Sequence, residues 1–411
     1  MSGKNIIVVG AGASGLMAAI AAARAGAKVT LLEHNKRPGK KILATGNGKC
    51  NLTNVFQEDT CYRSSQEGFA KRVIQQWDVQ KTIQFFSQLG IYTKNNNGYL
   101  YPASGQALSV VEVLEMEMRH LQITVKTLEE VVSIIVSQGA GFLVKTKTWS
   151  YPCDRVIVAA GSSASRIEGA DGSGYKLVGL LGHRIVKPLP ALVPLRCRGM
   201  QFSRWAGVRI EGEISLNNCF SSDIRPERGE LQLTKYGVSG IPVFQLSRYA
   251  VRMLEEGTKV MMHIDFMPDF TRSQMSDFMN ARRKNCSYKT LKESLVGLFP
   301  QKLIDVLMMQ EPDLTQLCER IKCFSLEIIG PHSFEHAQVC SGGIDTEEIN
   351  PHTMESRLHP GLYLCGEIID VDGACGGYNL QWAWSSGALA GIHAAADALA
   401  MPKGGSGYDS Y

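Results

Sequence analysis

Three glycines near the start of the chain have the spacing of a phosphate cradle. Gly10-Ala11-Gly12-Ala13-Ser14-Gly15 follows the β-branched run Ile6–Val9 and precedes the Ala-rich stretch Leu16–Ala25. Gly10 permits a tight turn, Gly12 lets a pyrophosphate approach the backbone, and Gly15 lets helix and strand pack closely, while the helix N-terminus faces the anion. Gly26 stops the helix before a second apolar strand, Lys28–Leu32, and Glu33 closes that strand where a ribose hydroxyl pair would bind. Strand, helix, strand and terminal acid in this order make a βαβ dinucleotide-binding unit rather than a bare glycine turn.

This unit serves FAD and nicotinamide dinucleotides alike, because both present adenosine and pyrophosphate to the same elements. Further segments decide between them. Arg37–Asn54 is polar, rich in Gly, Asn and Lys, and long for a turn, so its N–H groups and amides suit a flavin ring or phosphates. Cys50 within it reads as a small packed side chain, since the next cysteine, Cys61, lies outside the segment and leaves no redox pair. The strand Arg155–Ala160 ends in Gly161, as expected where backbone lies close to a cofactor. Near the C-terminus the strand Gly361–Cys365 leads into Gly366-Glu367, a loop with Asp370 and Gly377, and an Ala-rich helix over Leu380–Ala400 with Gly387 and Gly391 at a close helix contact. The N–H groups at that helix start suit the N1/O2 edge of a flavin, where the reduced ring carries negative charge. A nicotinamide does not need this second half, so the pattern favours FAD held along its whole length.

The elements that position these residues are those of a large globular chain. It has 411 residues, 43 Lys+Arg against 39 Asp+Glu, and 44% hydrophobic residues, enough apolar material for two or three domains. The charges are spread along the chain, so neither a nucleic acid nor an anionic membrane is required as partner. No apolar run reaches the roughly 18 residues that span a bilayer, and no secretory leader is read at Met1–Asn5. The 11 Cys form no C-x-x-C pair, which suits reduced thiols in a cytoplasmic protein, and no His/Cys spacing suggests a metal. Helices are expected over Val79–Leu89 and Ala107–Leu121, and strands over Ile123–Val125, Val131–Val136 and Phe142–Thr146. From about Pro188 short strands at Val208–Ile214, Glu230–Thr234 and Lys259–Phe266 read as an inserted β domain. Pro268–Cys323 then reads as a helical insert, with helical periodicity at Leu291–Leu298 and Leu303–Met309. The small-residue turn Gln232–Pro242 carries one cation, Lys235, and one phenol, Tyr236, which are the candidate catalytic groups; the turn either meets substrate or simply joins strand to helix.

The runs GAGASGL, LLEHNKRPGKKILATGNGKCNLTN, LTKYGVSGIPVFQLSR, QVCSGGIDTEEINPHTMESRL and GLYLCGEIIDVDGACGGYNLQWAWSSG resemble those of the BaiN-like, aminoacetone-oxidase-like family of three-domain bacterial FAD flavoproteins, over nearly the entire chain. The resemblance implies an α/β fold: a Rossmann-like, glutathione-reductase-like FAD-binding domain made from residues 1–188 and 336–411. It also implies an inserted β domain over 189–268 plus about 325–335, and a helical insert over 269–324. Carried over motif by motif, FAD contacts are expected at Gly10, Gly12, Ala13, Ser14, Gly15, Glu33, Lys41, Thr45, Gly48, Asn51, Gly161, Gly366, Glu367, Asp370, Gly377, Asn379 and Leu380. The family includes oxidases of small amino compounds and NAD(P)H-dependent reductases of conjugated enones. The expected function is an FAD-dependent oxidoreductase passing a hydride through flavin N5 to or from a small molecule. NAD(P)H would be a transient co-substrate, because no second glycine-loop unit is present to hold it. An oxygen-dependent amine oxidase, a flavoprotein acting on transfer RNA and a redox sensor are the competing readings.

Overall fold

The computed structural model describes residues 4–137, 141–199, 202–216 and 224–396. Its centre is a five-stranded sheet in the order Leu362–Leu364, Arg155–Val158, Asn5–Val9, Lys28–Glu33, Thr124–Thr127. All four pairings are parallel, with Ile7 opposite both Val156 and Thr30. Covered on both faces, such strands need unbroken apolar side chains, which is what Ile6–Val9 and Val156–Val158 provide. The sheet therefore brings the first strand of the chain and Leu362–Leu364, from near its C-terminus, to either side of Arg155–Val158.

Helix packing ties the same two ends together. The first helix, Ala13–Arg24, lies against the C-terminal helix, Tyr378–Ala395, at a distance only glycine allows. A Cβ on Gly387 would sit 2.4 Å from the Ser14 carbonyl oxygen, and one on Gly391 would sit 2.3 Å from that of Ala18. Both glycines occupy the close helix contact expected of them. The helix ends at Ala395, and the part of the expected Leu380–Ala400 helix beyond residue 396 lies outside the described residues.

Between these ends stands a closed six-stranded barrel of Leu195–Cys197, Gly237–Gly240, Glu227–Thr234, Val208–Leu216, Val260–Asp265 and Phe324–Pro331. Closure leaves no free strand edge. Helices Arg272–Asn285, Gln301–Leu307 and Leu314–Lys322 share its apolar core, which is separate from that of the parallel sheet. An antiparallel pair, Ile185–Ala191 with Val339–Ile344, leads into and out of it.

Two expectations are corrected. Leu291–Leu298 is no helix: only the short 3-10 turn Glu293–Leu295 forms, because Gly297 takes φ +87° and Pro300 caps the next helix instead. The Lys235-Tyr236 turn joins two strands, Glu227–Thr234 and Gly237–Gly240, rather than strand to helix. The helix begins later, at Ile241, with Pro242 in its first turn, and runs to Glu255. Its buried Val243, Leu246 and Ala250 repeat every three or four residues, a signal the sequence held.

Candidate functional site

At the C-terminal edge of the parallel sheet, where ligands bind in open α/β folds, an open cleft is lined by Gly10, Gly12, Glu33, Lys41, Gly161 and Ser162 among others. Its three glycines do different work. A Cβ on Gly15 would lie 1.9 Å from the Gly10 carbonyl oxygen, and one on Gly10 would lie 2.6 Å from that of Ala159. Both are required by the protein's own packing. Gly12 has an ordinary φ of −76° and nothing within 4 Å of a Cβ built there. Neither strain nor crowding explains that glycine; a ligand pressed against the backbone does. Gly12 caps the first helix without a side-chain bond, so N–H groups at Ala13 and Ser14 are available to an anion.

The acids around the cleft brace the frame. Glu33 Oε2 accepts from the Ala11 N–H at 2.7 Å and Oε1 from the Asn35 N–H at 2.8 Å, so this carboxylate lines the cleft while holding the glycine turn. Glu367 joins three distant segments: it pairs with Lys41 Nζ at 2.5 Å and accepts from Ser162 Oγ at 2.7 Å and the Cys340 N–H at 3.1 Å. Asp370 is buried and accepts from the Gly342 and Ser65 N–H groups, each at 2.9 Å. Gly366 packs against Ser14 and accepts from Trp382 Nε1 at 3.0 Å.

The other glycine-rich loops converge at a second point. In Thr45–Asn51 the backbone of Gly46, Asn47, Gly48 and Cys50 is left-handed, and the Thr45 hydroxyl donates to the Ile42 carbonyl. Burial pushes the Cys50 thiol up to about 12, which agrees with a packed rather than reactive sulfur. Asn51 is buried and its Oδ1 has no partner, an acceptor waiting for a ligand N–H. Facing it, Gly377 takes φ +96° at the start of the C-terminal helix, and a Cβ there would lie 3.0 Å from that same Oδ1. The first intrahelical bond runs from the Gln381 N–H to the Gly377 carbonyl. The N–H groups of Tyr378, Asn379 and Leu380 are thus left to a ligand. The Asn379 side chain closes its own turn, bonding both the N–H and the carbonyl of Gly373, so what it offers outward is backbone.

Sequence reasoning missed what holds this second point in place. Gln381 is fully buried; its Oε1 accepts from Thr53 Oγ1 at 2.6 Å and its Nε2 donates to Trp77 O, Thr82 Oγ1 and Ser385 Oγ. Trp384 Nε1 donates to the Leu52 carbonyl at 2.9 Å. Two phenols on the strand Tyr99–Pro102 were missed as well. Tyr99 would be 2.8 Å from a Cβ on Gly376, and Tyr101 lies 3.7 Å from one on Gly46. Burial raises the Tyr101 phenol above its usual range, with Tyr99, Cys375 and Cys50 adding to it.

The catalytic candidates lie elsewhere, at the barrel mouth. Lys235 is exposed, and the half-buried Tyr236 ring packs edge-on against His332, centroids 4.4 Å apart. The loop after the strand Arg155–Val158 reaches this mouth: Ser165 N–H donates to the Phe334 carbonyl at 3.1 Å. Among the described residues no cluster of three or more His, Cys, Asp or Glu is placed to hold a metal, and no helix is long and apolar enough to cross a membrane.

The chain is similar to known proteins over nearly its whole length. The model of the HI0933-like protein Rossmann domain matches residues 4–393. The chain is 43% identical over 410 residues to the 3-dehydro-bile acid delta(4,6)-reductase of Clostridium scindens, covering 95% of this chain and 99% of that protein. It is 30% identical over 398 residues to the ribosomal RNA dihydrouridine synthase of Escherichia coli K12, covering 93% and 96%. Among solved structures, 3-ketosteroid-delta4-(5alpha)-dehydrogenase from Rhodococcus jostii RHA1 gives a TM-score of 0.47 at 14% identity, covering 96% of this chain and 97% of that one.

Proposed function

The chain belongs to the HI0933-like family and is an FAD-dependent oxidoreductase; from that premise we propose that it uses a reduced nicotinamide nucleotide to saturate a carbon–carbon double bond conjugated to a carbonyl. Three features along one cradle carry the cofactor side of this reading: the open notch at Gly12, the unpartnered Asn51 Oδ1 and the free helix start at Tyr378–Leu380. The direction of the reaction rests on the relatives. One is named for reducing Δ4,6 unsaturation in a 3-dehydro, hence 3-oxo, bile acid, and the other for making dihydrouridine, a pyrimidine with its ring double bond saturated. Both names describe the same kind of bond change, two hydrogens added across a carbon–carbon double bond conjugated to a carbonyl: a hydride to its electrophilic end, the β carbon or its vinylogous δ counterpart, and a proton to the end nearer the carbonyl.

Bound FAD supplies the two-electron step of accepting and donating hydride. The chain's own residues do the rest. N–H groups of the first helix hold the diphosphate, and those of the C-terminal helix stabilise negative charge at the ring. For the proton we assign Tyr101 ahead of Tyr236, because Tyr101 stands beside the Thr45–Asn51 loop, 3.7 Å from a Cβ built on Gly46, and near Cys375 of the second loop, whereas Tyr236 lies at the barrel mouth. The same reading divides the labour between the Rossmann unit of both chain ends, which holds the cofactor, and the barrel with its helices, which chooses the substrate.

A small polycyclic or cyclic enone is the favoured substrate class, given the 43% identity to the bile-acid reductase. Ribosomal RNA is the second reading, supported by the relative at 30% identity. Anaerobic mixing decides. NADPH or NADH should bleach the flavin, and a 4-en-3-oxo steroid should restore its colour. Bleaching by small amines but by neither nucleotide would make the protein an oxidase instead. Reoxidation by unmodified ribosomal RNA and by no enone would give the second reading the site.

A further inference from the structure

The parallel-sheet cleft accounts for one dinucleotide, and nothing in it serves a second. At the barrel mouth, however, three cations from three separate segments come together. Arg196 sits on the short barrel strand opposite Gly237 and Gly330, which places it between the Lys235-Tyr236 hairpin and the chain leaving the barrel at Pro331. Arg166 arrives from the loop that begins at Gly161 and Ser162 on the cofactor cleft. Its guanidinium donates to His336 Nε2, and His336 Nδ1 is hydrogen-bonded with Ser333 Oγ at 2.8 Å. His336 thereby holds Arg166 in place. His332 stacks 3.8 Å from His336, its Nδ1 is buried without a partner, and it feels the charges of Arg196, Arg166 and Lys235.

Elsewhere on the barrel, cations are matched. Arg198 pairs with Glu327 and Arg209 with Glu230. Among the described residues no carboxylate pairs with Arg166, Arg196 or Lys235, Glu335 on the neighbouring turn included. Three like charges brought together by backbone geometry and left unneutralised repel one another unless an anion joins them. A carboxylate would offset one of them, whereas a phosphate monoester carries nearly two charges at neutral pH and presents oxygens that match the arginine fork.

We propose that Arg166, Arg196, Lys235 and the free His332 Nδ1 form a seat for a phosphate monoester, filled by the 2′-phosphate of NADPH when the nicotinamide nucleotide docks at the seam between cleft and barrel. The choice of NADPH as the source rests on the reductase reading above; the seat itself does not. Lys235 and Tyr236 then serve binding, the phenol by holding the His332 ring. A 2′-phosphate gripped by arginine is how an enzyme without a ribose-binding acid prefers NADPH to NADH.

The test uses the oxidised holoprotein and 2′,5′-ADP as probe, titrated calorimetrically at low salt into wild type, Arg166→Gln, Arg196→Gln and the double variant. An unchanged flavin spectrum and melting temperature show that each variant is folded. The double variant should bind 2′,5′-ADP at least ten-fold more weakly, and its affinity for NADH, which lacks the monoester, should stay within two-fold. Equal 2′,5′-ADP affinity in wild type and folded double variant would overturn the seat. So would an RNA oligonucleotide that loses affinity in the variants while 2′,5′-ADP does not. If neither NADPH nor NADH bleaches the flavin and 2′,5′-ADP binding still falls ten-fold, the seat stands and the reductase reading falls.

Discussion

In the cradle built from the two chain ends, Glu33, Glu367, Asp370 and Asn379 turn their side chains onto the backbone of their own frame. At the barrel mouth Arg166, Arg196 and Lys235 have no carboxylate to turn to. A cradle that holds a resident cofactor must be finished before the ligand arrives, and so its polar groups are spent on shape, leaving backbone N–H groups and one amide oxygen for contact. A surface that meets a ligand once per turnover keeps its charges unspent and in water, where the penalty for waiting is small.

That contrast is broken or sharpened first at the glycines. Compared as apoproteins, Gly12→Val should melt within about 2 °C of wild type, since nothing lies within 4 Å of its Cβ, yet bind FAD at least about 100-fold more weakly. Gly15→Val should fail to fold, its Cβ falling 1.9 Å from a carbonyl oxygen. Thermal melting and flavin retention on gel filtration read both outcomes. If the two variants behaved alike, the division between packing glycine and ligand glycine would be lost.

Tyr101→Phe comes next. Substrate turnover should fall about 100-fold, the usual scale of a positioned acid, while the rate of flavin bleaching by NADPH stays unchanged. Tyr236→Phe should lower turnover far less. A larger loss at Tyr236 would return the proton to the barrel mouth.

Gln381→Leu tests the frame by itself. It strips partners from Thr53, Thr82 and Ser385 in a site closed to water, and urea unfolding should show a loss of about 2–3 kcal/mol. No single exposed cation at the mouth should approach that figure.

The smallest effect separates two histidines. Burial lowers the pKa of His183 from 6.5, and its ring lies between Glu348 and Ser356 with its side chain fully enclosed. His332 is lowered too, first by burial and then by His336 and the nearby cations, but stands half-exposed. A histidine held neutral in the folded state contributes stability above its unfolded pKa, and that contribution is lost as pH falls, because the unfolded chain takes up the proton more readily. The melting temperature should therefore drop between pH 7.5 and 5.5. His183→Gln should flatten that slope, whereas His332→Gln should leave it nearly as it is.

Much of the cradle was legible because its requirements are local. Gly10, Gly12 and Gly15 lie within one turn, and the strands beside them announce themselves as short β-branched runs. Gly387 and Gly391 were legible for the same reason, one helical turn apart. The rest depends on partners far along the chain: Gln381 reaches Thr53, Glu367 reaches Lys41, and Tyr101 and Tyr99 matter only because Gly46 and Gly376, respectively, fold against them. Residues of ordinary type with remote partners leave no periodic mark. The helix Ile241–Glu255 is a different case: it follows the turn that the sequence offered as a link from strand to helix, but its bounds were not read there.

The most direct test of the account is the flavin-to-protein ratio, by absorbance after gel filtration, of wild type beside Gly12→Val. One FAD per wild-type chain is predicted, with a colourless variant as stable as the wild-type apoprotein. A colourless wild type that takes up no added FAD, or a variant as yellow as its parent, would contradict it.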